Sequence, residues 1–207
     1  MTTHSPSIAF HAAAPAGKFG VKVTKPLGNE GALDLAYTPG VADPCRLISA
    51  QPEAAYQLTA KGNLIGILTN GSAVLGLGDL GALASKPVME GKAALFQELA
   101  GIDAFDVEID ASNVDDFVAV ANRIAPTFGG INIEDVRVPD CFEIERRLQD
   151  LLDIPVFHDD QHGTAIAIVA ALANACAQTG RFLEDSRIVI NGAGAAGLAT
   201  AHLLADY

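Results

Sequence analysis

The segment Phe157-His158-Asp159-Asp160-Gln161-His162-Gly163-Thr164 places adjacent carboxylates and two imidazoles between an apolar run and a helical stretch. A second acidic pair, Glu134-Asp135, closes the apolar run Ile131-Asn132-Ile133. Carboxylate oxygens are hard donors suited to Mg2+ or Mn2+, whereas imidazole suits softer ions. Ligands of open parallel sheets bind beyond the carboxyl ends of the strands, so acidic pairs at two strand ends can converge on one cation. The spacing also allows a plainer reading, in which these carboxylates are ordinary strand-end residues or helix caps. No Ser-His-Asp or Cys-His arrangement is recognisable by spacing.

The elements that must position these groups follow from periodicity. Ile154-Pro155-Val156-Phe157 reads as a short buried strand, and Thr164 as the cap of a helix over the apolar stretch Ala165 to Ala173. Upstream, Leu64 to Thr69 and Phe105 to Ile109 are strand candidates, Ala50 to Ala60 a helix, and Asn113 the cap of a helix through Ala125. Pro139 to Leu152 is amphipathic and leads back to the strand before Asp159. Alternating Lys18 to Lys25 reads as an edge strand ended by Pro26, and residues 1–17 as a flexible arm. Strands alternating with helices predict an α/β fold, a parallel-rich sheet covered by helices.

Two glycine motifs differ in context. Gly76-Leu77-Gly78-Asp79-Leu80-Gly81 spells GxGxxG, but Asn70-Gly71-Ser72 breaks the preceding run and Pro87 intervenes before the helix expected at Val88 to Leu99. A rigid loop beside the site, rather than a dinucleotide fingerprint, is the reading there. Gly192-Ala193-Gly194-Ala195-Ala196-Gly197 instead lies between a strand, Arg187 to Asn191, and a helix, Leu198 to Ala205. That order suits a pyrophosphate at a helix amino terminus, although the acidic residue expected ~20 positions on would fall past Tyr207.

A chain of 207 residues suits one large domain, or one domain and part of a second. A net charge of -12 argues against nucleic acid or an anionic membrane as the main partner. Cys45, Cys141 and Cys176 form no CxxC motif and fit a reduced, cytoplasmic protein. The apolar run Ala165 to Ala173 is far short of the ~20 residues that span a bilayer.

Taken together, Ala36-Tyr37-Thr38-Pro39-Gly40-Val41-Ala42, Val74 to Gly81, Lys86 to Leu95, Ile133-Glu134-Asp135 and His158 to Thr164 resemble the malic enzymes, most closely the bacterial type. The resemblance runs from about Gly17 to the last residue. It implies a substrate and metal domain over residues 18–163 and the incomplete start of a Rossmann-type NAD(P)-binding domain over 164–207. The implied reaction is oxidative decarboxylation of L-malate to pyruvate and CO2 with NADP or NAD and Mg2+ or Mn2+, with oxaloacetate decarboxylation as a side capacity. By motif position Tyr37 is the general acid, Lys92 the general base, Glu134, Asp135 and Asp160 the metal ligands, and Asp159 a supporting carboxylate. Gly76, Gly78 and Gly81 line the shared cleft and Gly192 to Gly197 hold the dinucleotide. Larger malic enzymes carry an arginine just before the first glycine loop; here Ser72 and loop amides take that task of holding a substrate carboxylate. The family also implies a homo-oligomer acting on small molecules. The competing reading is a non-catalytic metal-binding or oligomerising fragment.

Overall fold

The computed structural model describes residues 5–28, 30–74 and 76–206. Strands β1 (Leu64–Thr69), β2 (Asp103–Glu108), β3 (Gly130–Ile133) and β4 (Val156–His158) form one parallel sheet in the order β2-β1-β3-β4. Helices α1 (Pro6–Ala12), α2 (Glu30–Ala36), α3 (Ala42–Ala50) and α4 (Ala55–Leu58) precede the sheet. Within it, α5 (Ala82–Ala100) links β1 to β2, α6 (Val114–Ile124) links β2 to β3, and α7 (Asp140–Leu151) links β3 to β4. Helices α8 (Asp159–Thr179) and α9 (Ala195–Asp206) complete the described chain and pack on each other.

Successive residues of a strand face opposite sides, so Ile67 and Leu68 anchor two separate cores. Ile67 packs with Met89 and Ala93 of α5, while Leu68 joins Ile131, Ile133, Phe117, Ile144 and Leu148 beneath α6 and α7. Removing a side chain such as Phe117 from water contributes about 1.5–3 kcal/mol. The sheet is therefore clamped on both faces, and its carboxyl edge is a rigid shelf.

Several local expectations are corrected. Residues 18–25 form no strand, since no described neighbour pairs with them; the Lys18 N–H instead donates to Glu90 Oε2 at 3.1 Å. Residues 6–12 of the expected arm are helical, and residues 1–4 lie outside the described part. The helix expected at 50–60 divides at Pro52 into α3, a 3-10 turn and α4. Pro87 lies inside α5, which starts at Ala82, six residues before the expected Val88. Thr164 is not a cap, because α8 already begins at Asp159. Arg187 to Asn191 is irregular, having no strand among the described residues to pair with. No helix among the described residues is long and apolar enough to cross a membrane.

Candidate active site

Strand register brings the two acidic pairs together. Ile133 pairs with His158, so Glu134-Asp135 and Asp159-Asp160 follow the last residues of neighbouring strands. Asp159 and Asp160 form the first turn of α8, where the positive end of the helix favours carboxylates. Lys92, midway along α5, reaches between the pairs: its Nζ lies 3.1 Å from Glu134 Oε1 and 2.8 Å from Asp159 Oδ2. Asn132 Nδ2 donates to Glu134 Oε2 at 2.9 Å, and the Asp135 N–H donates to Asp160 Oδ2 at 2.9 Å. Gly163 lies one turn beyond Asp159, and a Cβ there would stand 2.2 Å from Asp159 Oδ1. Glycine therefore leaves the Asp159 carboxylate room to lie along the helix.

Burial governs the electrostatics. It pushes the Glu134 carboxyl up to about 7, against the opposing pull of Lys92 and Asn132. Burial also raises Asp160, opposed by the Asp135 N–H. For Lys92, burial works to lower the pKa, but the Asp159 and Glu134 carboxylates outweigh it and the net shift is upward. The ammonium form is thus favoured in this arrangement. The His158 ring is fully buried; Nε2 is 3.3 Å from Asp160 Oδ2, yet neither ring nitrogen has a hydrogen-bond partner. Burial holds His158 down to about 4, so this close approach is not an ion pair at neutral pH.

Among the described residues, no group of three or more His, Cys, Asp or Glu side chains already stands as a coordination shell. In donor chemistry, however, Glu134, Asp135 and Asp160 fit a hard divalent cation. They offer only oxygen, and burial has left the carboxyls of Glu134 and Asp160 reluctant to ionise without added positive charge.

A cleft of about 980 Å³ runs from Asp160, Thr164 and Gly76 to Asn191, Gly192, Gly194, Ala195, Ala196 and Gly197. Helix α9 opens inside the second glycine run, at Ala195, and a Cβ on Gly197 would meet the Gly192 carbonyl oxygen at 2.2 Å. Ala193 is not among the lining residues. The first glycine loop is less involved. Gly76 reaches the cleft, whereas Gly78 pairs with Val74 across a tight turn and Gly81 precedes α5 as its cap residue. Ser72 does not line the cleft; its Oγ donates to Asn70 Oδ1 at 2.6 Å and accepts from the Arg137 N–H at 2.9 Å. Tyr37 stands on the turn after α2 with 74% exposure, and no described side-chain contact joins it to Lys92 or the carboxylates.

The family described as "Malic enzyme, N-terminal domain" matches residues 16–114. The NAD-dependent malic enzyme of Rhizobium meliloti (strain 1021) is 55% identical over 198 residues, which are 96% of this chain and 26% of that protein. The chain is similar to malic enzymes over almost its whole length. The NADP-dependent malic enzyme of Escherichia coli (strain K12) is 52% identical over 198 residues, again 96% of this chain and 26% of the relative. The solved structure of malic enzyme from Pyrococcus horikoshii Ot3 superimposes with a TM-score of 0.93 at 46% identity, covering 97% of this chain and 47% of that one. The chain thus spans about a quarter of the length of these curated relatives and about half of that solved chain.

Sequence pattern alone does not single out three residues that shape the site: Asn132, Glu145 and Gln161. Glu145 did carry a signal. It sits on the buried stripe of an amphipathic helix, with Cys141, Ile144 and Leu148, where an acid is out of place unless it has partners.

Proposed function

We propose that the chain forms the substrate and metal site of an NAD(P)-dependent malic enzyme and contributes the start of its dinucleotide-binding domain. The observation that carries this reading is one cleft joining the Asp160 carboxylate to the glycine run that opens α9. Glu134, Asp135 and Asp160 would hold Mg2+ or Mn2+, which supplies Lewis acidity to the malate hydroxyl and then to the ketone that replaces it. The amides of Gly192 to Gly197 and the positive end of α9 suit a pyrophosphate, with nicotinamide as the hydride acceptor.

Within that frame, Lys92 takes the hydroxyl proton on Nζ. It must first be uncharged, and positive charge placed on Glu134 and its neighbours favours that by weakening the two ion pairs that now hold its proton. Asp159 keeps the Lys92 amine aimed at the reacting centre through its 2.8 Å contact. After CO2 leaves, Tyr37 returns a proton to carbon to give pyruvate, a role assigned by its place in the family motif. Oxaloacetate would be decarboxylated by the same residues without the hydride step.

The test is malate-dependent reduction of NAD or NADP by the full-length protein, with and without Mn2+. The expected result is reduction that needs the metal and is lost in Lys92→Ala. A folded protein that forms pyruvate from neither malate nor oxaloacetate would leave the non-catalytic reading in its place.

A further inference from the structure

The segment carrying Asp159 and Asp160 is gripped from the side by a residue with no assigned role. Glu145 lies on α7, only 6% exposed, and both oxygens of its carboxyl group face the β4–α8 junction. Oε1 accepts from the His158 N–H at 2.8 Å; Oε2 accepts from Gln161 Nε2 at 2.9 Å and lies 2.9 Å from His162 Nε2. A carboxylate oxygen only accepts, so His162 presents its hydrogen at Nε2. The three donors come from residues 158, 161 and 162 and bracket the two aspartates.

This arrangement replaces a familiar local device. His158 is the residue before α8 and makes no side-chain capping bond, and Gln161 is the third residue of the helix. In a capping box the third residue reaches back to the backbone N–H of the cap residue. Here Gln161 points to Glu145, and Glu145 supplies the acceptor for that N–H from a different helix. The first turn of α8 is thereby fixed relative to α7 rather than only to itself. That matters because Asp159 must meet Lys92 and Asp160 must meet the Asp135 N–H at the same time.

A buried acid is an inefficient way to stabilise a helix contact, since well-packed apolar side chains do so without the desolvation cost. Its advantage is orientation, because three hydrogen bonds to two oxygens leave the junction little freedom to rotate. We propose that Glu145 is a positioning residue for the divalent-cation site, holding Asp160 in the geometry that binds the metal and Asp159 in the geometry that meets Lys92. This rests on the metal-site reading above. Residues that orient metal ligands typically cost 10–100-fold in metal affinity when replaced.

The test uses the full-length protein and follows Mn2+ binding directly, through loss of the spectroscopic signal of free aqueous Mn2+. The malate KM, the NAD(P) KM and the thermal midpoint without metal are measured beside it. Glu145→Gln keeps the volume but turns one acceptor into a donor. It is expected to raise the Mn2+ dissociation constant roughly 10–100-fold, with the NAD(P) KM unchanged. His162→Ala, at a side chain 41% exposed, removes one of the donors and is expected to raise the constant by a smaller factor. Should Glu145→Gln not fold, His162→Ala decides. Wild-type Mn2+ affinity in every folded variant, even with a lowered thermal midpoint, would show that Glu145 only stabilises the fold and would overturn the proposal. Failure of the wild-type protein to bind Mn2+ would instead remove the metal-site reading on which the proposal rests.

Discussion

The sheet with its clamping helices and the segment that precedes it are built differently. Between β1 and α8, apolar residues close two cores, and Ile67, Leu68, Met89, Phe117, Ile131, Ile133, Ile144 and Leu148 are almost wholly withdrawn from solvent. The helices before the sheet are shallow: α1, α3 and α4 have no fully buried residue, and Leu35 and Tyr37 are 77% and 74% exposed. Lys92, Glu134, Asp135, Asp159 and Asp160 all belong to the first region. Their mutual distances are set by strand register and helix packing, which resist deformation. Tyr37 belongs to the second, on a turn held by backbone bonds such as Val41 N–H to the Tyr37 carbonyl at 2.7 Å. The difference teaches that the carboxylate and lysine half of the site is already organised by the fold, whereas the proposed acid depends on a turn outside both cores.

Substitutions can sharpen or break that contrast. The largest effect is expected from Lys92→Ala, which should lower malate turnover by roughly 10²–10⁴-fold, the usual span for a general base. Steady-state rates at saturating metal check it; a smaller loss would separate Lys92 from the chemistry. In the core, Phe117→Ala should destabilise the fold by about 3–5 kcal/mol in a denaturant titration, because the cavity it leaves is closed on all sides.

A pH effect comes next. The Glu134 carboxyl is raised from 4.5 to about 7, chiefly by burial. A raised folded-state value means that the associated stability is complete below about 4.5 and is lost as pH climbs through about 7. In the presence of a chelator the unfolding free energy should fall across that window, on the order of a few kcal/mol, and Glu134→Gln should flatten the fall. An unchanged slope in the variant would assign the titration elsewhere. The smallest effect is expected from Leu35→Ala, within about 0.5 kcal/mol of wild type by thermal unfolding. A larger loss would mean that α2 is more firmly anchored than its 77% exposed leucine indicates.

Much of the packed region was legible in the sequence because burial writes a period into it. The run Leu64 to Thr69 is β1, Asn113 caps α6 with its side chain accepting from the Asp116 N–H, and Pro139 to Leu152 closely brackets α7. What was not legible lacked such a period or depended on distant partners. Alternation over residues 18–25 predicted a strand, but a strand also needs a neighbour to bond. Pro87 read as a helix boundary, because local chemistry does not reveal that tertiary packing will carry α5 through it. The sequence puts the start of α8 too late, because Asp159 to His162 look like loop residues until Glu145 and Lys92 supply partners from other helices. The candidate site shows the same division. The motifs named its charged residues, while the hydrogen bonds that Glu145 accepts from the His158 N–H and the Gln161 side chain join residues brought together only by the packing of α7 against the start of α8.

The central claim is that the acidic pairs at the sheet's carboxyl edge form one divalent-cation site. Its most direct test is a Mn2+ titration of the wild-type protein and of Asp160→Asn, read by the loss of free aqueous Mn2+. The account predicts one Mn2+ bound per chain in the wild type and affinity reduced at least tenfold in the variant, as loss of a metal-binding carboxylate implies. Equal binding by both proteins, or binding by neither, would contradict it.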